Sequence, residues 1–89
     1  MIQEKITISN KLGLHARASA KLTKLAGSFA CDVWMTRNER RINAKSIMGV
    51  MMLAASKGVE LELEVDGGDE EACRQAMVDL IENRFGEDE

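Results

Sequence analysis

Isoleucines at positions 2, 6 and 8 alternate with Gln3, Lys5 and Thr7. That is the period of a strand with one face in a core and one in water, so a first strand is predicted over Ile2–Ser9. After a loop the period changes. Ala18, Leu22, Leu25, Ala26 and Phe29 recur at helical spacing, which predicts a helix over Ala16–Ala26 with Gly27 as its stop. Cys31, Val33 and Met35 then alternate with Asp32 and Trp34. A turn at Asn38–Glu39 and a short strand over Arg40–Asn43 complete a hairpin. Val59, Leu61, Leu63 and Val65 alternate strictly with Glu60, Glu62 and Glu64, giving a fourth strand with an acidic face in water. After a turn at Asp66–Asp69, a last helix to about Arg84 places Cys73, Ala76, Met77, Leu80 and Ile81 on its core side. Glu70 and Glu71 favour its N-terminus, and the GEDE that follows Phe85 is expected to fray.

The stretch between the hairpin and the fourth strand follows neither simple pattern. Ser46 is a good N-cap for a helix reaching about Ser56, with Gly58 as its stop. This helix is apolar nearly all round. Val50, Leu53 and Ala54 form one stripe, while Ile47, Met48, Met51, Met52 and Ala55 form another, with no charge between Lys45 and Lys57. A two-layer fold buries one side of a helix. The other side is then an exposed patch, and methionines there suit a partner surface because they adapt to different partners. The equal alternative is that the third helix covers this side and it is ordinary core.

The order is therefore β-α-β-β-α-β-α in one domain spanning residues 1–89. Each strand has a polar face, so the expected α+β fold is an open-faced two-layer sandwich, with a mostly antiparallel sheet and all three helices on its apolar side.

Composition narrows the function. The chain is 45% hydrophobic and 30% charged, as soluble globular domains are. It has no apolar run long enough for a membrane span, and its start, MIQEKITI, lacks the layout of a signal peptide, so a cytoplasmic protein without membrane insertion is expected. Cys31 and Cys73 fall at core phase, and no CxxC or Cys/His cluster suggests a metal or redox cofactor. Net charge of −3 conceals an asymmetry: residues 1–57 carry +7 and residues 58–89 carry −10. Lys11, Arg17, Lys21, Lys24 and Lys45 are expected to gather around the loop before the first helix. They favour an acidic partner or a phosphate. Nucleic acid is disfavoured, because Phe29, Trp34 and Phe85 are the only aromatics and stacking platforms are missing.

That loop, NKLGLHARAS over residues 10–19, holds the only histidine, His15. The loop delivers His15 to a helix N-terminus, where free N–H groups and the helix dipole favour anions. Arg17 adds a planar fork of donors suited to phosphate oxygens. An imidazole there can accept a phosphoryl group and have the product anion solvated by the N–H groups of Ala16 and Arg17. The plainer alternative is an exposed or capping histidine, and for Ser46 a plain helix cap.

Taken together, His15, Arg17, Ser46, the GLHAR loop and the KSIMGV stretch resemble the HPr family, the histidine-containing phosphocarriers of the bacterial phosphoenolpyruvate-dependent phosphotransferase system. The likeness covers nearly the whole chain, and the nitrogen-branch relative NPr is a close alternative. The resemblance implies a sheet of strand order 1-4-2-3. It implies a stoichiometric carrier, not an enzyme, in which His15 takes a phosphoryl group on Nδ1 from phosphorylated enzyme I and passes it to an EIIA-type acceptor. Arg17 would neutralise the phosphate, and Ser46 would match the serine modified by HPr kinase/phosphorylase. Docking would fall to Ile47, Met48, Met51 and Met52 with Lys21 and Lys24, and a monomer is the simplest state for a shuttle. Two positions depart from the pattern. Ala18 stands where many members have proline, and Leu12 where many carry a small polar residue near the histidine. The rival readings are a ligand-binding regulatory module of the amino-acid-sensing kind and an acylphosphatase-like enzyme.

Overall fold

The strand Glu60–Asp66 occupies the interior of the sheet and pairs on both sides. The computed structural model describes residues 1–89, with β1 at Ile2–Thr7, α1 at Ala16–Gly27, β2 at Asp32–Arg37, β3 at Arg40–Asn43, α2 at Ile47–Met52, β4 at Glu60–Asp66 and α3 at Glu70–Glu82. One 3-10 turn follows at Arg84–Gly86. The sheet order is β1-β4-β2-β3. All pairs are antiparallel, with Ile2 opposite Val65, Val33 opposite Val65 and Trp34 opposite Asn43. The three helices lie on one face, and α1 packs between α2 and α3. Ile6, Val33, Met35, Leu61, Leu63 and Val65 from the sheet meet Ala18, Leu22, Val50, Met77 and Ile81 from the helices in a single core.

Four local expectations are corrected. The strand over Ile2–Ser9 ends as regular structure at Thr7, although Ile8 still exchanges hydrogen bonds with Val59 and Gly58. The helix expected to reach Ser56 ends at Met52, because its last carbonyls are taken elsewhere. The Arg37 guanidinium donates to Leu53 O and Ala54 O, both at 2.9 Å, and Ala55 O accepts from Leu14 N–H at 2.8 Å. Glu64, expected in water, is buried beneath Arg41, whose guanidinium also lies 4.1 Å from the Trp34 ring centroid. The GEDE tail does not fray. Arg84 and Phe85 both take left-handed conformations (φ 54° and 56°), which turns Phe85 into the core at 1% exposure and sends Glu87 back across the molecule.

The loop before α1 is pressed against the chain that leaves α2. Gly13 has φ +66°, and a Cβ there would strike Ala55 O and come within 2.7 Å of Ser56 Cα. Substituting Gly13→Ala should therefore lower the unfolding free energy by about 2 kcal/mol or more, from left-handed strain plus the clash. Urea denaturation of the two proteins measures this, and an unchanged midpoint would contradict it.

Candidate functional site

Extended backbone at His15 (φ −72°, ψ 176°) makes it the N-cap residue of α1, and its side chain caps nothing. The first helical N–H to find a carbonyl is that of Ser19, which donates to His15 O at 2.8 Å. The N–H groups of Ala16, Arg17 and Ala18 precede it and have no intrahelical acceptor. Where proline would supply no N–H, Ala18 keeps one. Ser19 is itself buried and donates its hydroxyl to Leu14 O at 3.0 Å, which ties the first turn of the helix to the loop.

The imidazole is held from the far end of the chain. Its Nε2 lies 2.8 Å from Glu87 Oε2, with the two side chains 29% and 18% exposed. The other Glu87 oxygen accepts from Asn10 Nδ2 at 3.1 Å, and the same amide nitrogen donates to Gly13 O at 2.8 Å. The His15 hydrogen bond and then the Asn10 bond hold the Glu87 carboxyl below its ordinary range. As a carboxylate it is acceptor-only, so the Nε2–H donates. Asn10 is fully buried, and the orientation of its amide follows from its neighbours. Reversed, its oxygen would face Gly13 O and Glu87, two acceptors.

Around this contact, Lys11, Leu12, His15 and Arg17 with Glu87, Asp88 and Glu89 line an open hollow. Lys11 secures the tail twice, through its N–H to Glu89 O at 3.0 Å and its ammonium to the Glu89 carboxylate at 3.1 Å. Lys21 donates to Phe85 O at 2.6 Å. Arg17 is exposed on the hollow's rim. Leu12, 66% exposed, offers the ring no polar partner, and Glu87 supplies it instead.

His15, Ala16 and Arg17 thus come together as expected, with Lys11 and Lys21 close by. Lys45 does not join them. It donates to Phe29 O at 2.8 Å, beyond the opposite end of α1, a helix about 18 Å long. Lys24 is exposed further along α1. Ser46 caps α2, accepting from Gly49 N–H at 3.2 Å. It stands at the end of that helix away from the His15 loop. The third helix does not cover the methionine face: α1 separates α2 from α3, and Met48, Met52, Met51 and Ile47 are exposed. Val50 and Leu53 are buried beneath them, while Ala54 and Ala55 exchange the roles their stripes predicted, Ala54 exposed and Ala55 buried. Cys31 and Cys73 are free and buried, and burial pushes the Cys31 thiol up to about 12 and raises Cys73 as well. No three His, Cys, Asp or Glu side chains are grouped to hold a metal ion.

Sequence reasoning missed Asn10 and Glu87. The available signal was Phe85, a large apolar residue followed after Gly86 by three acids, in a chain whose lone histidine lies in a basic segment.

An open-faced sandwich whose single histidine heads α1 above free N–H groups is the architecture of a histidine phosphocarrier. The family described as PTS HPr component phosphorylation site matches residues 2–83. The phosphocarrier protein HPr of Cupriavidus necator is 62% identical over 89 residues, covering 100% of both chains. The structure of HPr-C-His from Thermoanaerobacter tengcongensis has a TM-score of 0.96 at 44% identity, also covering 100% of both chains. An HPr dimer from the same organism has a TM-score of 0.79 at 45% identity, covering 98% of this chain and 100% of that one. The chain belongs to the HPr family of phosphocarriers of the phosphotransferase system.

The depressed Glu87 pKa fixes the sign of a pH effect. A carboxyl that ionises more readily in the folded chain contributes stability that is whole above its unfolded pKa of about 4.3. That contribution is lost as pH falls through the lower folded value. Wild type should therefore exceed Glu87→Gln in stability at pH 6, and the gap should close toward pH 3. Urea unfolding of both across this range tests it, and a pH-independent gap would contradict it.

Proposed function

We propose that His15 accepts a phosphoryl group on Nδ1 from phosphorylated enzyme I and donates it to EIIA-type proteins, so that the chain is a cytoplasmic, stoichiometric carrier without turnover of its own. The observation that carries this reading is the juxtaposition of a half-buried imidazole with three unpartnered N–H groups and the Arg17 fork. Phosphoryl transfer asks for placement and charge stabilisation more than covalent help. The N–H groups of Ala16, Arg17 and Ala18 offer donors at the positive end of α1, and the guanidinium can follow the oxygens from the rim. The second carboxylate or general base that an acylphosphatase-like enzyme would want for turnover is not served by Glu87, which faces the ring itself.

The exposed face of Ile47, Met48, Met51 and Met52 supports docking of an apolar partner surface beside His15, while Lys21 and Lys24, which lie with Leu80 on the α3 side of α1, would reach a partner only from across that helix. Enzyme I and EIIA-type proteins would use this face in turn, since the two transfers cannot occur together. Ser46 borders the same face. A phosphoryl group there suits the N-cap position, so α2 would persist. About two negative charges would then stand next to the methionines and repel an acidic partner. A kinase of the HPr kinase/phosphorylase type is the partner such a serine would require. The carrier acts as a monomer on this reading, since nothing in the His15 hollow needs a second copy.

Incubation with phosphoenolpyruvate and enzyme I, read by intact mass, should give one acid-labile phosphoryl adduct. His15→Ala should give none, and Arg17→Ala should form it about tenfold or more slowly, the cost of a lost charge-assisted contact. No adduct with sugar-branch or nitrogen-branch enzyme I would overturn the carrier reading. Replacing Ser46 with Asp should leave the fold intact, because aspartate is also a good N-cap, while slowing adduct formation several-fold. An unaltered rate would remove Ser46 from the docking argument.

A further inference from the structure

The contact between His15 and Glu87 gives the tail a part in the chemistry. Glu87 is anchored on every side. Phe85 is buried two residues before it, Lys21 holds the Phe85 carbonyl, Asn10 holds its second oxygen, and Lys11 holds Glu89 two residues after it. A carboxylate fixed in this way can fix what it touches. We propose that Glu87 is a positioning residue for phosphoryl transfer: it binds the Nε2–H of His15, leaves the lone pair on Nδ1, and offsets the charge that reaches the ring when Nδ1 bonds phosphorus. The proposal rests on the acceptor reading given above for Nδ1.

The tautomer argument is one of counting. A neutral imidazole has one N–H, and the carboxylate accepts it at Nε2, 2.8 Å away; Nδ1 is then the only ring nitrogen with a lone pair. In free imidazole the proton is shared between the two nitrogens, so part of the population would be unable to attack. The charge argument follows the electrons. The Nδ1 pair forms the N–P bond as phosphorus leaves the donor's atom, which keeps the pair of the broken bond. The ring, with its Nε2 proton still in place, becomes formally cationic beside the Glu87 carboxylate. On donation the N–P bond breaks, its pair returns to Nδ1, and the neutral Nε2–H ring is restored. No proton need enter or leave the site in either direction. A carboxylate behind a catalytic imidazole acts in the same way in hydrolytic triads, holding the tautomer and stabilising the cationic ring. Asp88 and Glu89 add negative charge at the same hollow, balanced by Lys11 and Arg17, but neither has a hydrogen bond to the ring.

The test uses the full 89-residue chain labelled with 15N, with ring shifts read by long-range 1H–15N correlation at alkaline pH. Wild type should show a pyrrole-like Nε2 and a pyridine-like Nδ1. In Glu87→Ala both nitrogens should move toward the averaged shifts of a tautomer mixture, and transfer from phosphorylated donor to His15 should slow about tenfold or more, as loss of an orienting partner does. The amide of Glu87→Gln can still accept the Nε2–H, so this variant should restore the tautomer but recover only part of the rate, because the charge is absent. Ring shifts unchanged in Glu87→Ala, or shifts that move while transfer stays at the wild-type rate, would each overturn the proposal. The shifts need no phosphoryl donor. An adduct-free wild type would thus overturn the acceptor reading and the transfer half of this one, whereas a normal adduct with unchanged ring shifts would overturn the role of Glu87 alone.

Discussion

One buried amide, that of Asn10, joins the two halves of the site. Its nitrogen donates both to Gly13 O, closing the loop that presents His15, and to the Glu87 carboxylate that meets the imidazole. Its oxygen is buried without a partner, a loss of about 1–3 kcal/mol. That cost is tolerated because the alternative is worse for the geometry: the reversed amide would oppose two acceptors. The residues on either side reinforce the arrangement. Ser9 donates to Ile81 O at the end of α3, and Lys11 reaches the tail. Three consecutive residues thus fasten the loop to the C-terminal part of the chain, and the position of His15 depends on segments more than seventy residues apart.

The charges at this hollow oppose one another, and that opposition suits a group in transit. Free N–H groups at the head of α1 and the Arg17 guanidinium favour an arriving phosphate. Glu87, Asp88 and Glu89 repel it. A site built only from the first set would bind the phosphoryl group tightly and release it slowly. A site with both sets narrows the difference between the free and loaded forms, which is what a phosphocarrier that must give its group away needs. The open hollow contributes too, since water competes for the oxygens and weakens each contact relative to a closed site.

Most of the sheet and two of the helices were legible because their signals are local. Alternation in Val59–Val65, the Asn38–Glu39 turn and the core stripe of α1 each report their own structure through nearby side chains. The GLHAR loop was legible for the same reason: histidine, free N–H groups and arginine lie within three residues. The misreadings share an opposite cause. The helix at Ser46 looked longer because the competitors for its last carbonyls, Arg37 and Leu14, are sixteen and more residues distant. Glu64 looked solvated because nothing in its own strand reveals that Arg41 and Trp34 cover it. Lys45 looked like part of the cationic cluster around His15 because charge was counted along the chain, and its ammonium turned instead to the end of α1. The tail looked frayed because acidic residues after a helix usually are, and only the return path set by Arg84 and Phe85 brings Glu87 to the ring. Strand order lay beyond periodicity altogether and followed from the family resemblance.

The two ends of the chain differ sharply in what they border. Met1 sits where its ammonium meets Glu70 and Asp66 at 3.0 and 3.6 Å, beside the end of β4 that faces away from the His15 loop. Glu89 sits against Lys11, within the hollow itself. An affinity tag or fusion partner joined after Glu89 would therefore start inside the His15 hollow, add its own charges there and pull on the carboxylate that meets the imidazole. The same addition before Met1 would hang from the far rim of the sheet. Rates measured on differently tagged preparations of this chain are thus not interchangeable, and the amino-terminal side is the place for a handle.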